Sequence, residues 1–239
     1  MQSTKGMIVG VATLLAASMT FGASNTVQDD AKTLNKATAV LNEMRYEPDK
    51  GIPDGVWNRT QCVVVIPGMK KAGFIVGGEF GKGVMSCRRG GNAWSAPVFM
   101  ELAKGTAGLQ AGISSTDLVL LVMNREGVQK LLNNKVTLGG EASIAAGPVG
   151  RMASAGTDAQ MTAEILSYSH SKGLFAGIDL SGGTLKPDTD SNATMYGANA
   201  NARNIALGMM PVTMTAEGRA FTNALGQGVR ATTGMKPRY

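Results

Sequence analysis

Histidine is all but missing from this chain: His170 is the only one in 239 residues, and cysteine occurs twice, as Cys62 and Cys87. Structural zinc needs four nitrogen or sulfur ligands and catalytic zinc needs three plus a water, so this inventory argues against a metal site. A serine–histidine pair fares no better. Ser169 and Ser171 adjoin His170, and neighbouring residues of a strand or tight turn point apart. No acid pair has a spacing suited to general acid–base work, so no catalytic residue is assigned and the chain reads as non-enzymatic. The stretch "DTDSN" does set Asp188, Asp190 and Asn192 at calcium-loop spacing. The glycine and the bidentate acid of such a loop are replaced by Ala193 and Asn199, however, and capping of a helix by Asp190 or Ser191 is the better reading.

A nucleotide-binding loop is also missing. The stretch "GGEFGKGV", residues 77–84, has the look of one, but the P-loop spacing would put a glycine at Val76 and a hydroxyl at Gly83. Neither a nucleotide nor any other cofactor is expected. Long apolar runs are scarce as well. One runs from Met7 to about Met19, preceded by Lys5 and followed by Gly22, Ala23 and Ser24. That is the layout of a secretory signal, and the run is short for a bilayer span. Residues 1–24 are therefore expected to direct export to the periplasm or beyond. An oxidising compartment favours a Cys62–Cys87 disulfide, worth roughly 3 kcal/mol in the chain-entropy account.

What the chain has in quantity is glycine, 32 residues, and a basic excess, with a formal net charge of +6. The glycines follow no G-X-Y period and lie in no long polar tract, so they belong to folded strands and turns. The charge suits an anionic surface. Outside a cytoplasm, anionic lipid or lipopolysaccharide is a more accessible partner than nucleic acid.

Periodicity divides the rest. From Val27 to Arg45, Ala31, Leu34, Ala37, Thr38, Leu41 and Met44 fall on one helical stripe, with Asp29 and Asp30 at its start and Arg45 at its end. Residues 25–60 are read as this amphipathic helix and a linker, and Asp54 as the cap of a short helix. Beyond Gln61 the period changes to two. "CVVVIP" reads as a buried strand, "AGFIVGGEF" and "GKGVMSCR" as strands pairing about Gly81, and "GTAGLQAGIS" as an alternating strand. "TDLVLLVMN" is apolar on both faces and so central to the core. "REGVQKLLNN" reads as a helix behind Asn124, "KVTLGGEASIAAG" as returning strands, "MTAEILSYSHSKGLFAGIDLSGG" as a hairpin turning at "SHSKG", and the tail from Asp190 as mostly helical. The fold class is α+β: a mostly antiparallel, glycine-rich sheet or partial barrel flanked by amino- and carboxy-terminal helices.

The ordered motifs "AGFIVGGEFGKGVMSCR", "WSAPVFMELAKGTAGLQAGISSTDLVLLVMN", "LGGEASIAAGPVG", "YSHSKGLFAGIDLSGGTL" and "MYG" resemble the SYLF domain family in its exported bacterial branch, over about Ala31 to Gly226. The resemblance makes residues 61–239 a SYLF-like lipid-binding domain. It implies binding of membrane lipids, phosphoinositides among them in eukaryotic members, through basic surface residues and an amphipathic amino-terminal helix. A yeast branch binds and bundles actin. Neither phosphoinositide nor actin is expected in a bacterial envelope, so the implied partner here is an anionic phospholipid membrane. An envelope protein partner, or a single lipid carried in a cavity, is the alternative. His170 stands where similar sequences lead one to expect arginine.

The candidate headgroup-binding residues are Lys70, Lys71, Lys82, Arg88, Arg89 and Lys104, the densest basic neighbourhood in the sequence. A basic residue near an anionic bilayer contributes roughly 1 kcal/mol. Leu34, Leu41 and Met44 on the helix stripe, with Trp94, are the membrane-contact candidates. Two destinations are open for them: a bilayer, or the core of their own domain. Trp57 is equally open.

Overall fold

The computed structural model describes residues 23–46, 51–73, 76–90, 93–107, 112–133, 135–148, 162–171, 174–177 and 179–227. Most of the expected signal segment, residues 1–22, and the tip of the "SHSKG" turn lie outside them.

Among the described residues ten strands form one sheet: β1 (Cys62–Gly73), β2 (Val76–Arg89), β3 (Ala93–Trp94), β4 (Val98–Ala107), β5 (Gly112–Val122), β6 (Val136–Thr137), β7 (Ile144–Ala146), β8 (Ile165–Ser171), β9 (Leu174–Gly177) and β10 (Thr184–Pro187). The order is β6-β10-β4-β2-β1-β5-β8-β7, with β3 beside β2 and β9 beside β8. Every pairing of these strands is antiparallel except β7 with β8. Among the described residues the path from β6 to β7 does not close on itself, which leaves the partial barrel expected from the sequence. Around it lie α1 (Ala23–Tyr46), α2 (Asp54–Arg59), α3 (Arg125–Asn133), α4 (Thr189–Tyr196), α5 (Ala202–Leu207) and α6 (Ala216–Gln227).

The sheet is covered on both faces. Cys62, Val64 and Ile66 of β1 join Met85, Met100, Leu120 and Ile205 in one core, while Val63 and Val65 join Trp57, Phe99, Leu121 and Phe221 in another. A strand buried on both faces reads as a continuous apolar run, as "CVVVI" does. The first core lies beneath α3 and α5, the second beneath α1, α2 and α6. Leu34, Ala37, Leu41 and Met44 are at most 1% exposed, so the α1 stripe is a core stripe. Burial of each large side chain contributes roughly 1.5–3 kcal/mol.

The glycines of residues 77–84 are explained by a bulge on the neighbouring strand. β1 slips register against β2 between Val65 and Lys70, around Pro67 and a left-handed Gly68 (φ 61°). The displaced segment lies close over β2. A Cβ on Gly81 would come within 2.5 Å of Ile66 Cγ2, and one on Gly83 within 2.1 Å of the Val65 carbonyl oxygen. Here glycine supplies clearance for another backbone. Gly81 is thus mid-strand and not the turn the sequence suggests: β2 continues unbroken to Arg89, and its partner is β1. "GTAGLQAGIS" likewise spans the end of β4 and the start of β5 and is not one strand.

Candidate functional site: an arginine-rimmed pocket

A pocket of about 450 Å³ opens at the end of the sheet where β1 begins and β2 finishes. Cys62 and Cys87 face each other directly across β1 and β2 and are bonded. The disulfide lines the pocket together with Val128, Leu132 and Leu207. Three arginines also line it, each from a different element: Arg88 of β2, Arg125 of α3 and Arg203 of α5. Among the described residues no carboxylate is in the lining.

Local sequence sets each of these side chains in place. Asn124 Oδ1 accepts from the Gly127 amide (2.9 Å) and starts α3 with Arg125 as its first residue. Asn201 Oδ1 accepts from the Asn204 amide (2.9 Å) and starts α5 two residues before Arg203, which lines the pocket. Arg203 Nη2 donates to Asn133 Oδ1, joining α5 to the end of α3. Arg88 donates from Nε to the Thr60 carbonyl (3.0 Å) and from Nη2 to the Trp57 carbonyl (3.2 Å), with its guanidinium 4.6 Å from the Trp94 ring centre. Burial pulls its pKa below the usual arginine value, yet a guanidinium stays charged at neutral pH. The partners of Arg88 and Arg203 are neutral, so they fix those two arginines without cancelling their charge. Apolar walls beneath guanidinium donors suit an anion whose remainder is greasy, since arginine binds phosphate and carboxylate in a forked, two-bond geometry.

The six basic residues singled out from the sequence do not form one patch. Phe80 and Arg88 are eight positions apart on β2, roughly 25 Å along an extended strand. Lys70, Lys71 and Lys104 lie near Phe80, at the hairpin end, and Arg88 and Arg89 at the disulfide end. Lys71 Nζ sits 3.3 Å from Glu79 Oε1, and Lys104 donates to the Asp179 carbonyl (3.1 Å). Lys82 is committed further. Its Nζ lies 2.7 Å from Asp188 Oδ2 and 3.6 Å from Glu101 Oε1. The Asp188 hydrogen bond raises the lysine pKa, with burial opposing it. Burial works to raise the Asp188 pKa, but Lys82 and the Ser191 amide and hydroxyl carry it below the ordinary carboxyl value. Lys82 is therefore a structural cation whose charge is met by two carboxylates of the fold. Asp188 is the cap of α4, in place of the Asp190 or Ser191 expected from the sequence.

The membrane-contact candidates are corrected by the same packing. Leu34, Leu41 and Met44 are core, and Trp94 is 8% exposed, with its ring 6.3 Å from that of the fully buried Trp57. His170 faces α1, 3.5 Å from Glu43. Sequence reading passed over Arg125, Arg203 and Leu207, which no local motif connects.

Comparison with known proteins places this architecture. The profile of the Ysc84 family, described as "Las17-binding protein actin regulator" and equivalent to the SYLF family resembled above, matches residues 103–227. The chain belongs to that family. LAS seventeen-binding protein 3 of Saccharomyces cerevisiae is 32% identical over 216 residues, covering 84% of this chain and 47% of the yeast protein. Protein YSC84 of the same yeast is 32% identical over 205 residues, covering 82% and 44%. SH3 domain-containing YSC84-like protein 1 of Xenopus laevis is 34% identical over 168 residues, covering 70% and 49%. The chain spans about half the length of these relatives. Two of them carry in their names a binding partner or an SH3 domain, and none is named for a catalytic activity. Within the matched Ysc84 segment lie Arg125, Arg203 and Leu207; Arg88 and the disulfide come from the strands before it.

Proposed function

We propose that this Ysc84-family protein is a non-enzymatic lipid-binding protein of the cell envelope that holds an anionic phospholipid headgroup in the arginine-rimmed pocket. The observation that carries the reading is that Arg125 and Arg203, with Arg88 at the strand end, line an apolar-floored pocket that has no carboxylate in its lining among the described residues. Its volume falls in the small-ligand range of roughly 300–1,000 Å³. That suits a phosphate headgroup and the start of its glycerol better than a whole lipid. The disulfide supports a place outside the reducing cytoplasm. The hairpin lysines take a lesser part, because acids and carbonyl groups already occupy Lys71, Lys82 and Lys104.

Co-sedimentation with neutral and with phosphatidylglycerol-containing vesicles, at low and high salt, tests this reading. Wild type is expected to pellet with the anionic vesicles alone and to be released by salt. The double variant Arg125→Gln/Arg203→Gln should bind at least about tenfold more weakly, at roughly 1 kcal/mol per lost charge, with a melting temperature only slightly lowered by loss of the exposed Arg203–Asn133 hydrogen bond. Equal binding by the variant would reject the pocket. A second reading, an adaptor for another envelope protein, is favoured by the relatives named for binding Las17. Saturable protein binding that resists salt and ignores vesicles is its signature.

A further inference from the structure

Leu207 and Met209 flank Gly208 at the end of α5, and they are 44% and 67% exposed. The other large apolar side chains that stand out among the described residues, Val27 and Phe80, are each isolated in sequence. Apolar sequence continues past the turn through Met210, Pro211 and Val212, and no acidic residue occurs between Asp190 and Glu217. Cations surround the turn. The Arg89 guanidinium packs against Gly208, where an added Cβ would lie 2.1 Å from its Cζ. Leu207 shares the pocket lining with Arg88, Arg125 and Arg203.

The backbone of the turn is suited to leaving water. Gly208 is left-handed (φ 64°) and closes the helix: its amide donates to the Ile205 carbonyl (3.2 Å), and the Met209 amide donates to the Asn204 carbonyl (2.8 Å). Neither amide is stranded when the turn enters a medium of low dielectric, where an unpaired donor is costly. The closure also fixes the backbone that carries the two side chains, so little backbone ordering entropy is lost on contact. An apolar tip with satisfied amides, collared by cations that no carboxylate pairs among the described residues, complements the boundary between anionic headgroups and acyl chains.

We propose that the Leu207–Met209 turn is a membrane-inserting element that enters the acyl-chain boundary of an anionic bilayer while the surrounding arginines engage lipid phosphates. The disulfide end of the sheet then faces the membrane, and the Phe80 end faces away. This inference rests on the headgroup reading for the pocket, and the two are separable because Met209 lies outside the pocket lining.

Vesicles of phosphatidylcholine with phosphatidylglycerol, and a water-soluble short-chain phosphatidylglycerol, are the two probes. Met209→Asp is expected to weaken vesicle binding about tenfold or more, the worth of one large apolar side chain, and to leave binding of the soluble probe unchanged. Phe80→Asp should alter neither. In Met209→Trp, the introduced indole should shift to the blue on adding anionic vesicles and be quenched by acyl-chain-brominated lipid. Quenching retained without any soluble-probe binding would support insertion while removing the headgroup reading. Wild-type vesicle binding by Met209→Asp, an indole emission that vesicles do not move, or loss of vesicle binding in Phe80→Asp alone would overturn the proposal.

Discussion

The two ends of β2 carry similar formal charge and use it differently. At the hairpin end, and on towards the middle of the strand, lysines meet acids across the sheet: Lys71 meets Glu79, and Lys82 meets Glu101 and Asp188, with Lys186 closing on Glu101 from β10 at 3.0 Å. At the disulfide end, Arg88 and Arg203 meet carbonyl and amide oxygens. The first arrangement cancels charge and fastens strands to helices. The second holds charge in position and leaves it to act outward. Counting basic residues along a sequence cannot separate these cases, because the compensating acids come from distant elements.

Five experiments probe the contrast. The largest effect is expected at Gly83. Gly83→Val should prevent folding or cost more than about 4 kcal/mol, because the Val65 carbonyl and Ile66 backbone already occupy the space; urea denaturation reads it. A variant of wild-type stability would show that the β1 bulge yields easily and that the hairpin end is softer than described. At the other end, replacing Cys62 and Cys87 by alanine should lower stability by about 3 kcal/mol, from the 25-residue separation that the bond closes, and should weaken short-chain lipid binding by removing part of the pocket wall. Loss of stability without any change in binding would detach the disulfide from the site.

Lys82→Met comes next, at about 2 kcal/mol. It strands the buried Asp188, though Lys82 is itself half exposed and the pair is partly screened. The Asp188 pKa is depressed in the folded protein. Its contribution is therefore present above the ordinary carboxyl value, about 3.9, and is lost as pH falls through the lower folded value. Asp30 runs the other way. Burial, opposed by the Ser191 hydroxyl and reinforced by Asp188, raises its pKa. The stability linked to Asp30 is present below the ordinary value and lost as pH rises through the raised one. Asp188→Asn should thus destabilise at pH 7, and Asp30→Asn should be neutral or stabilising there. Equal losses at pH 7 would show that geometry and not charge holds α1 to α4. The smallest effect is expected for Lys70→Gln with Lys104→Gln: less than about threefold in anionic vesicle binding, from long-range attraction alone. A loss as large as that of Arg125→Gln/Arg203→Gln would return the hairpin end to the membrane.

Much of the fold could be read along the chain. The α1 stripe, the doubly buried run of β1, α3 behind Asn124 and the carboxy-terminal helices all announce themselves through spacing and caps. The errors fall where a residue type serves two physical purposes. Gly81 looked like a turn, and glycine does favour turns, but it equally permits close approach of a second backbone. Leu34, Leu41 and Met44 could have faced a bilayer or a sheet, since both reward the same apolar stripe.

By itself, then, the sequence determined the alternation that builds a sheet buried on both faces and the helical stripes that cover it. These depend on residues close in the chain, whose spacing maps directly onto strand and helix periods. Tertiary structure decided which charges are spent and which are available. Lys82 is neutralised by an acid 106 positions away, and the pocket exists because α3 and α5 pack side by side over the end of β2. Such pairings arise from the packing of whole elements, whose order in space differs from their order in sequence.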